Sequence, residues 1–219
     1  AQTLATSASG AEDLLQAVAA GSAPPSLLQN RAVRDRLIAA KPAGVIARLE
    51  NLTKNLAPAD LERERLIAQR SRAYAAFSPK VPEGQRVFQQ NCAVCHSVDG
   101  QGGLVGPQLD GIGNRGLERL VEDVLDTNRN VDRAFRSHII VLKDGDVVTG
   151  LPRREEGEML ILAESTGKEI SVAKKNIETQ RESETSPMPE NFADVLSPED
   201  FNHLMAFLLS KRAGQHAGF

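Results

Sequence analysis

The fold of this chain is indicated most clearly by the segment Gly84-Gln85-Arg86-Val87-Phe88-Gln89-Gln90-Asn91-Cys92-Ala93-Val94-Cys95-His96. It ends in Cys-x-x-Cys-His and contains both cysteines of the 219-residue sequence. Two thiols on one turn can each form a thioether to a vinyl group of the same porphyrin, and the following histidine can then bind the iron. The spacing therefore predicts one covalent haem c, attached at Cys92 and Cys95, with His96 as the proximal ligand.

Two other chemistries also use paired cysteines. A redox-active Cys-x-x-Cys usually opens a helix just after a strand, whereas residues 82–90 have a helical pattern and residues 97–106 form a glycine-rich stretch. A zinc site would need a second pair of ligands at short spacing, and His138 and His203 lie far from each other in sequence. Both alternatives fit the neighbouring sequence less well than haem does.

The residues before the cysteines resemble the first helix of class I cytochromes c. The resemblance rests on the pattern Gly84-x-x-x-Phe88-x-x-x-Cys92. In that family the glycine lets the C-terminal helix cross closely, and the aromatic ring packs against that helix. The same arrangement is therefore expected between residues 82–90 and the final apolar helical segment, residues 198–211.

The residues after the motif are also similar to that family. Residues 106–115 read Gly-Pro-Gln-Leu-Asp-Gly-Ile-Gly-Asn-Arg, like the loop that follows the haem motif. The resemblance implies that the Pro107 carbonyl accepts the Nδ1–H of His96, so that Nε2 faces the iron. It also implies that Leu109 covers the haem and that Arg115 lies near a propionate.

The sixth iron ligand has five candidates. They are Met159, Met188, Met205, His138 and His203. Met205 lies in an apolar helical run, Met159 begins a strand-like run, and the two histidines lie on a strand and a helix, so structural roles are expected for these four. Met188 lies between two prolines in a stiff loop before the last helix, where a thioether can be held at little entropic cost. In cytochromes c the ligand methionine occupies such a loop, so Met188 is predicted as the axial ligand.

Length and hairpin signals predict several modules. Residues 1–10 are predicted as a disordered N-terminus, and 11–80 as a helical segment that ends a solenoid or docks a partner. Within it, Glu62-Arg63-Glu64-Arg65 is assigned to a solvated helix face. The haem domain is expected over 81–137 plus 181–215. Asp-Gly and Thr-Gly turns between short apolar runs predict an antiparallel β module over 138–180. The predicted fold class is mainly α, with a cytochrome c fold interrupted by an SH3-like, small-barrel insertion.

Charge and hydropathy limit the partners. The net charge is −3 with acidic and basic residues interspersed, which argues against a nucleic-acid surface. No apolar run is long enough to span a bilayer, so no transmembrane segment is predicted in this chain. Haem attachment through thioethers takes place outside the bacterial cytoplasm. The protein is therefore expected to be periplasmic or otherwise exported, which implies an upstream targeting segment.

The combined layout over residues 80–212 resembles a narrower family. It is similar to the haem-binding domain at the C-terminal end of large membrane-bound dehydrogenases, in which a sugar-dehydrogenase-like propeller and HEAT-type helices precede the cytochrome. The shared features are the haem motif, Gly106-Pro107-x-Leu109, the β-rich stretch with Lys143-Asp144-Gly145 and Gly150, and Ser186-x-Met188-Pro189-Glu190. The resemblance implies a non-enzymatic electron-transfer domain, which accepts electrons from an attached or partner dehydrogenase and passes them to a respiratory acceptor.

Two other functional classes remain open at this point. In the first, the protein is a haem enzyme or sensor, peroxidase-like or gas-binding, from which Met188 can be displaced. In the second, the helices dock a partner and the haem is incidental. A chain with both axial positions filled leaves no open iron site, which favours electron transfer.

Overall fold

The computed structural model describes residues 1–212 and separates into two compact units. The first unit contains Ala1–Ala59 and Asp132–Pro187, and the second contains Asp60–Val131 and the described residues from Met188 onward. In chain order the helices are α1 (Ala8–Ala19), α2 (Arg31–Ala40), α3 (Val45–Thr53), α4 (Ala59–Ala75), α5 (Val81–Asn91), α6 (Leu117–Leu125), α7 (Phe192–Val195) and α8 (Pro198–Ser210). The strands are β1 (Ser97–Val98), β2 (Gln101–Gly102), β3 (His138–Leu142), β4 (Val147–Glu156), β5 (Met159–Ala163), β6 (Glu169–Ala173) and β7 (Ile177–Glu182). These helices, together with the antiparallel sheet formed by β3 to β7, confirm the predicted fold class.

The sheet of the first unit is five-stranded and antiparallel. Its order is β6-β5-β4-β3-β7, so β7, the last of these strands in the chain, pairs with β3, the first of them. Successive residues of a strand point to opposite faces. Ile139 and Ile140 of β3 accordingly belong to two different hydrophobic clusters, one on each side of the sheet.

One face of the sheet packs against the N-terminal helices. Ile139 and Val147 share a buried cluster with residues of α1, α2 and α3, among them Leu15, Leu37 and Leu49. A half-buried sheet face and amphipathic helices each need an apolar partner, and here they cover each other. The predicted β module therefore does not stand alone but forms one unit with α1, α2 and α3.

The N-terminus differs from the predicted disorder over residues 1–10. Leu4–Thr6 forms a 3₁₀ turn, and the side chain of Ala5 is fully buried in the cluster that the helices and the sheet share. The Ser7 side chain then accepts a hydrogen bond from the Gly10 backbone and caps α1. The small residues of the 1–10 segment form no apolar pattern in the sequence, but their size allows Ala5 to pack closely in this cluster.

The module boundaries also differ from those predicted. The helical segment 11–80 is divided, because α1–α3 belong to the first unit and α4 to the second. Residues 132–137 and 181–187, expected in the haem domain, extend the pairing of β3 and β7. The Ser137 backbone donates to the Thr185 carbonyl at 2.7 Å, for example, and the Ser183 backbone donates to the Ser137 carbonyl at 2.8 Å. Residues 213–215 of the predicted haem domain lie outside the described residues.

The second unit is built around the crossing of α5 and α8. A Cβ atom at Gly84 would overlap the backbone carbonyl of His203, so only glycine allows this approach. The rings of Phe88 and Phe207 lie 5.3 Å apart between their centroids. This close crossing and its aromatic contact confirm the arrangement that the resemblance to class I cytochromes c implied.

The remaining helices of the second unit complete this core. Residues of α6 and α7 join the buried cluster, and α4 contributes the partly buried Leu66, Ile67 and Tyr74. Among the described residues, no helix combines the length and apolar character needed to cross a membrane.

Candidate haem-binding site

The Cys-x-x-Cys-His motif continues the end of α5 as one further turn. Cys92 is the C-cap of the helix, and its N–H donates to the Phe88 carbonyl at 2.8 Å. The His96 N–H donates in turn to the Cys92 carbonyl at 3.0 Å. Both cysteines are free thiols of intermediate burial. The local helical turn therefore holds two thiols and an imidazole together, as the spacing predicted.

The following loop folds back onto this turn through backbone hydrogen bonds. The N–H of Gly103 donates to the Ala93 carbonyl, and that of Gly106 donates to the Cys95 carbonyl, both at 2.8 Å. Earlier in the loop, Asp99 and Gly100 connect β1 to β2. Both residues have positive φ angles, as a tight Asp-Gly turn requires. The stretch expected to be a glycine-rich loop is thus a small hairpin pinned to the cysteine turn.

The His96 ring is held from two sides. Its Nδ1 lies 2.9 Å from the carbonyl oxygen of Pro107, and a carbonyl can only accept, so Nδ1 carries the proton. A Cβ atom at Gly106 would come within 2.5 Å of the ring's Cε1, so the glycine leaves the space that the imidazole occupies. Burial lowers the pKa of His96, while the bond to Pro107 acts in the opposite direction. The result is a neutral imidazole whose Nε2 lone pair is available to a metal.

The two thiols do not have the character of a redox-active pair. Burial, and secondarily the neighbouring Cys95, raises the pKa of the Cys92 thiol to about 12. Burial also raises the pKa of Cys95. Reactive dithiols need a lowered pKa, and Cys92 lies at the C-terminal end of a helix, where the dipole disfavours a thiolate. The dithiol alternative therefore finds no support in this geometry.

The zinc alternative requires a cluster of ligands. Within residues 1–212, no group of three or more His, Cys, Asp or Glu side chains is arranged so that it could hold a metal ion. The donor set at the cysteine turn is instead two thiols and one imidazole, with a methionine on the same core, and this set fits a covalently attached haem.

Three of the predicted site residues lie on one hydrophobic core. Cys92, Leu109 and Met188 are partly buried and pack against the cluster formed by α5, α6, α7 and α8. The Thr127 hydroxyl donates to the Met188 carbonyl at 3.4 Å, which is a weak hydrogen bond. It contacts the Pro187-Met188-Pro189 segment, called the methionine loop below. Arg115 is half-exposed and forms an ion pair with Asp123 at 2.8 Å. Its guanidinium is therefore engaged by a carboxylate of α6.

The other candidates for the sixth ligand have structural positions. Met205 is fully buried in the core of the second unit, as predicted. His203 is buried, and its Nδ1 accepts a hydrogen bond from the Lys80 backbone at 2.9 Å. Met159 and His138 belong to the sheet of the first unit, where the His138 ring lies 2.7 Å from the Gln180 amide.

A group of polar residues around the methionine loop has no signature in the sequence. Arg63 was assigned to a solvated face, but its side chain is only 15% exposed and lies against Asp126 and Glu190. Asn128 donates a hydrogen bond to Glu190. No local pattern marks these residues, because their partners lie on different elements of the second unit.

The comparison with protein families agrees with this site. Residues 81–138 match the family model described as Cytochrome c. No match was found among curated proteins. The matched segment contains α5, the cysteine turn, the loop through Pro107 and Leu109, and α6. The chain thus contains a cytochrome c-type domain, a class of protein that binds haem covalently and transfers electrons.

Proposed function

We propose that this protein carries one haem c, bound through Cys92 and Cys95, with His96 and Met188 as its axial ligands. The observation that carries the proposal is the cysteine turn itself. It presents two free thiols, together with an imidazole whose Nδ1 faces the Pro107 carbonyl at 2.9 Å. The haem would supply one-electron chemistry through its iron, and the protein would hold and shield it.

The thiols are suited to covalent attachment rather than to redox exchange. The S–H groups of Cys92 and Cys95 would each add across one vinyl double bond, so that a C–S bond would form and the hydrogen would go to the adjacent vinyl carbon. The addition releases nothing and needs no external oxidant. The raised pKa values of Cys92 and Cys95 keep both sulfurs protonated near neutral pH until attachment.

The axial pair supports electron transfer rather than catalysis at the iron. His96 is oriented by Pro107, and Met188 lies on the same apolar core as Cys92 and Leu109. Two protein ligands saturate the iron, and a thioether ligand raises the reduction potential. Leu109 would cover the porphyrin. Arg115 would interact with a propionate by exchanging its contact with Asp123.

The proposed partners are redox proteins. The layout resembles haem domains that accompany membrane-bound dehydrogenases, so the electron donor would be an attached or separate dehydrogenase and the acceptor a respiratory protein. The site of action would be the periplasm or another exported location, where thioether attachment takes place.

Covalent attachment has an all-or-none test. Haem is expected to remain with the polypeptide after denaturing acid-organic extraction, and the intact mass should show one haem per chain. The double variant C92A/C95A should release all its haem into the organic phase, because no thioether can form. C92A alone should retain haem through Cys95. Release of intact haem from the unsubstituted protein would refute the proposal.

A further inference from the structure

Arg63 lies between two buried carboxylates in the second unit. Its guanidinium is 3.3 Å from an oxygen of Asp126 and 3.6 Å from an oxygen of Glu190. The side chains of Asp126 and Glu190 are only 4% and 7% exposed, and that of Arg63 is 15% exposed. Such burial makes the three charges dependent on one another.

These contacts converge on the loop that contains Met188. Glu190 follows Met188 by two residues and also accepts a hydrogen bond from the buried Asn128 amide. Thr127, next to Asn128, contacts the Met188 carbonyl. The residues directly after α6 and one arginine of α4 therefore hold the loop on both sides of Pro189.

The two carboxylates would respond differently to the loss of Arg63. Asp126 caps the end of α6 and has a second cation, Arg129, at 2.7 Å. Glu190 lies in an irregular segment between Met188 and α7. A buried carboxylate that loses one of its charged partners is stabilised by moving toward water. Glu190 can do so by carrying the methionine loop outward.

We propose that Arg63 is a positioning residue for the methionine ligand. Through Glu190 it keeps the Met188 loop against the haem-binding core, so that the thioether stays within reach of the iron. The inference rests on the proposed ligation by Met188. It assigns the helix before the haem segment a role in setting the state of the iron.

The test is imidazole binding to the ferric holoprotein. Imidazole binds only when Met188 has left the iron, so its apparent affinity reports how often the loop is open. We expect R63Q to bind imidazole about tenfold more tightly, because a tenfold larger open fraction lowers the apparent Kd tenfold. The methionine–iron absorption band should weaken in parallel. R63K keeps the charge and should remain close to the unsubstituted protein.

R65Q is the matched control. Arg65 lies on the same helix and pairs with Glu62, but its side chain is 74% exposed. Its replacement by glutamine should leave imidazole affinity unchanged. E190Q keeps the shape of the side chain and can still accept from Asn128, but it gives up the charge-assisted contact with Arg63 that ties the loop to α4. It should therefore also bind imidazole more tightly, although by less than R63Q, because no carboxylate is left without its cation. It provides the test if R63Q does not yield holoprotein.

The outcomes separate this inference from the function on which it rests. If the unsubstituted ferric protein lacks the methionine–iron band, ligation by Met188 is wrong whatever Arg63 does. If that band is present and both R63Q and E190Q bind imidazole like the unsubstituted protein, the positioning role is refuted. A loss of thermal stability without a change in imidazole affinity would mean that Arg63 is only structural.

Discussion

Replacing Met188 with alanine is expected to abolish the methionine–iron absorption band of the ferric protein. It should also lower the reduction potential by on the order of 100 mV, because axial ligands set haem potentials over a range of about 0.8 V. A thioether bound to the iron would stabilise its reduced state, and alanine would offer the iron no ligand. Optical spectra and a redox titration of the holoprotein measure both effects.

Two methionines serve as controls for this substitution. Met205 is fully buried in the same unit and Met159 lies in the sheet of the other unit, so M205L and M159L should leave the absorption band and the potential unchanged. If M205L removed the band instead, the assignment of the ligand to the Pro187-Met188-Pro189 loop would be wrong. High-spin bands and ready CO binding in the unsubstituted protein would instead favour a haem enzyme or sensor.

Replacing Gly84 with alanine is expected to destabilise the second unit strongly. Alanine is normally better than glycine in a helix by roughly 0.5–1 kcal/mol. Here the added methyl group would overlap the His203 carbonyl and the side chain of Phe207. The helices α5 and α8 must then separate, and we expect a net loss of about 3 kcal/mol in the free energy of unfolding.

The neighbouring Gln85 provides the control for this prediction. Gln85 is exposed on the same helix, so Q85A should change the free energy of unfolding by less than about 0.5 kcal/mol. Denaturant unfolding followed by haem absorbance reports the second unit directly. A neutral or stabilising effect of G84A would show that the helices do not cross at this position.

The cytochrome-like features could be predicted because they depend on short spacings. Cys92, Cys95 and His96 fall on one turn wherever the chain is helical, and the Asp-Gly and Thr-Gly signals depend only on local backbone geometry. Pro107 lies close enough in sequence to His96 for one loop to bring them together. The pattern from Gly84 to Phe88 likewise predicted the face of α5 that meets α8.

The burial of Arg63 could not be predicted from the sequence, which places this residue on a solvated helix face. It lies among charged residues on α4, and its neighbour Arg65 is indeed exposed. What separates the two is the position of Glu190 and Asp126, which belong to other elements of the same unit. No local pattern in the sequence indicates which turn of a charged helix will face a buried carboxylate.

By itself, the sequence determined the Cys-x-x-Cys-His turn, the proline beside its histidine and most of the helices and strands, because each depends on residues that are near neighbours in the chain. Only the tertiary structure decided that α1–α3 and Ala5 share a core with Ile139 and Val147, and that α4 joins the second unit. Apolar burial has no direction, so periodicity shows which face of an element is buried but not which partner covers it. That choice follows from the packing of segments far apart in the chain.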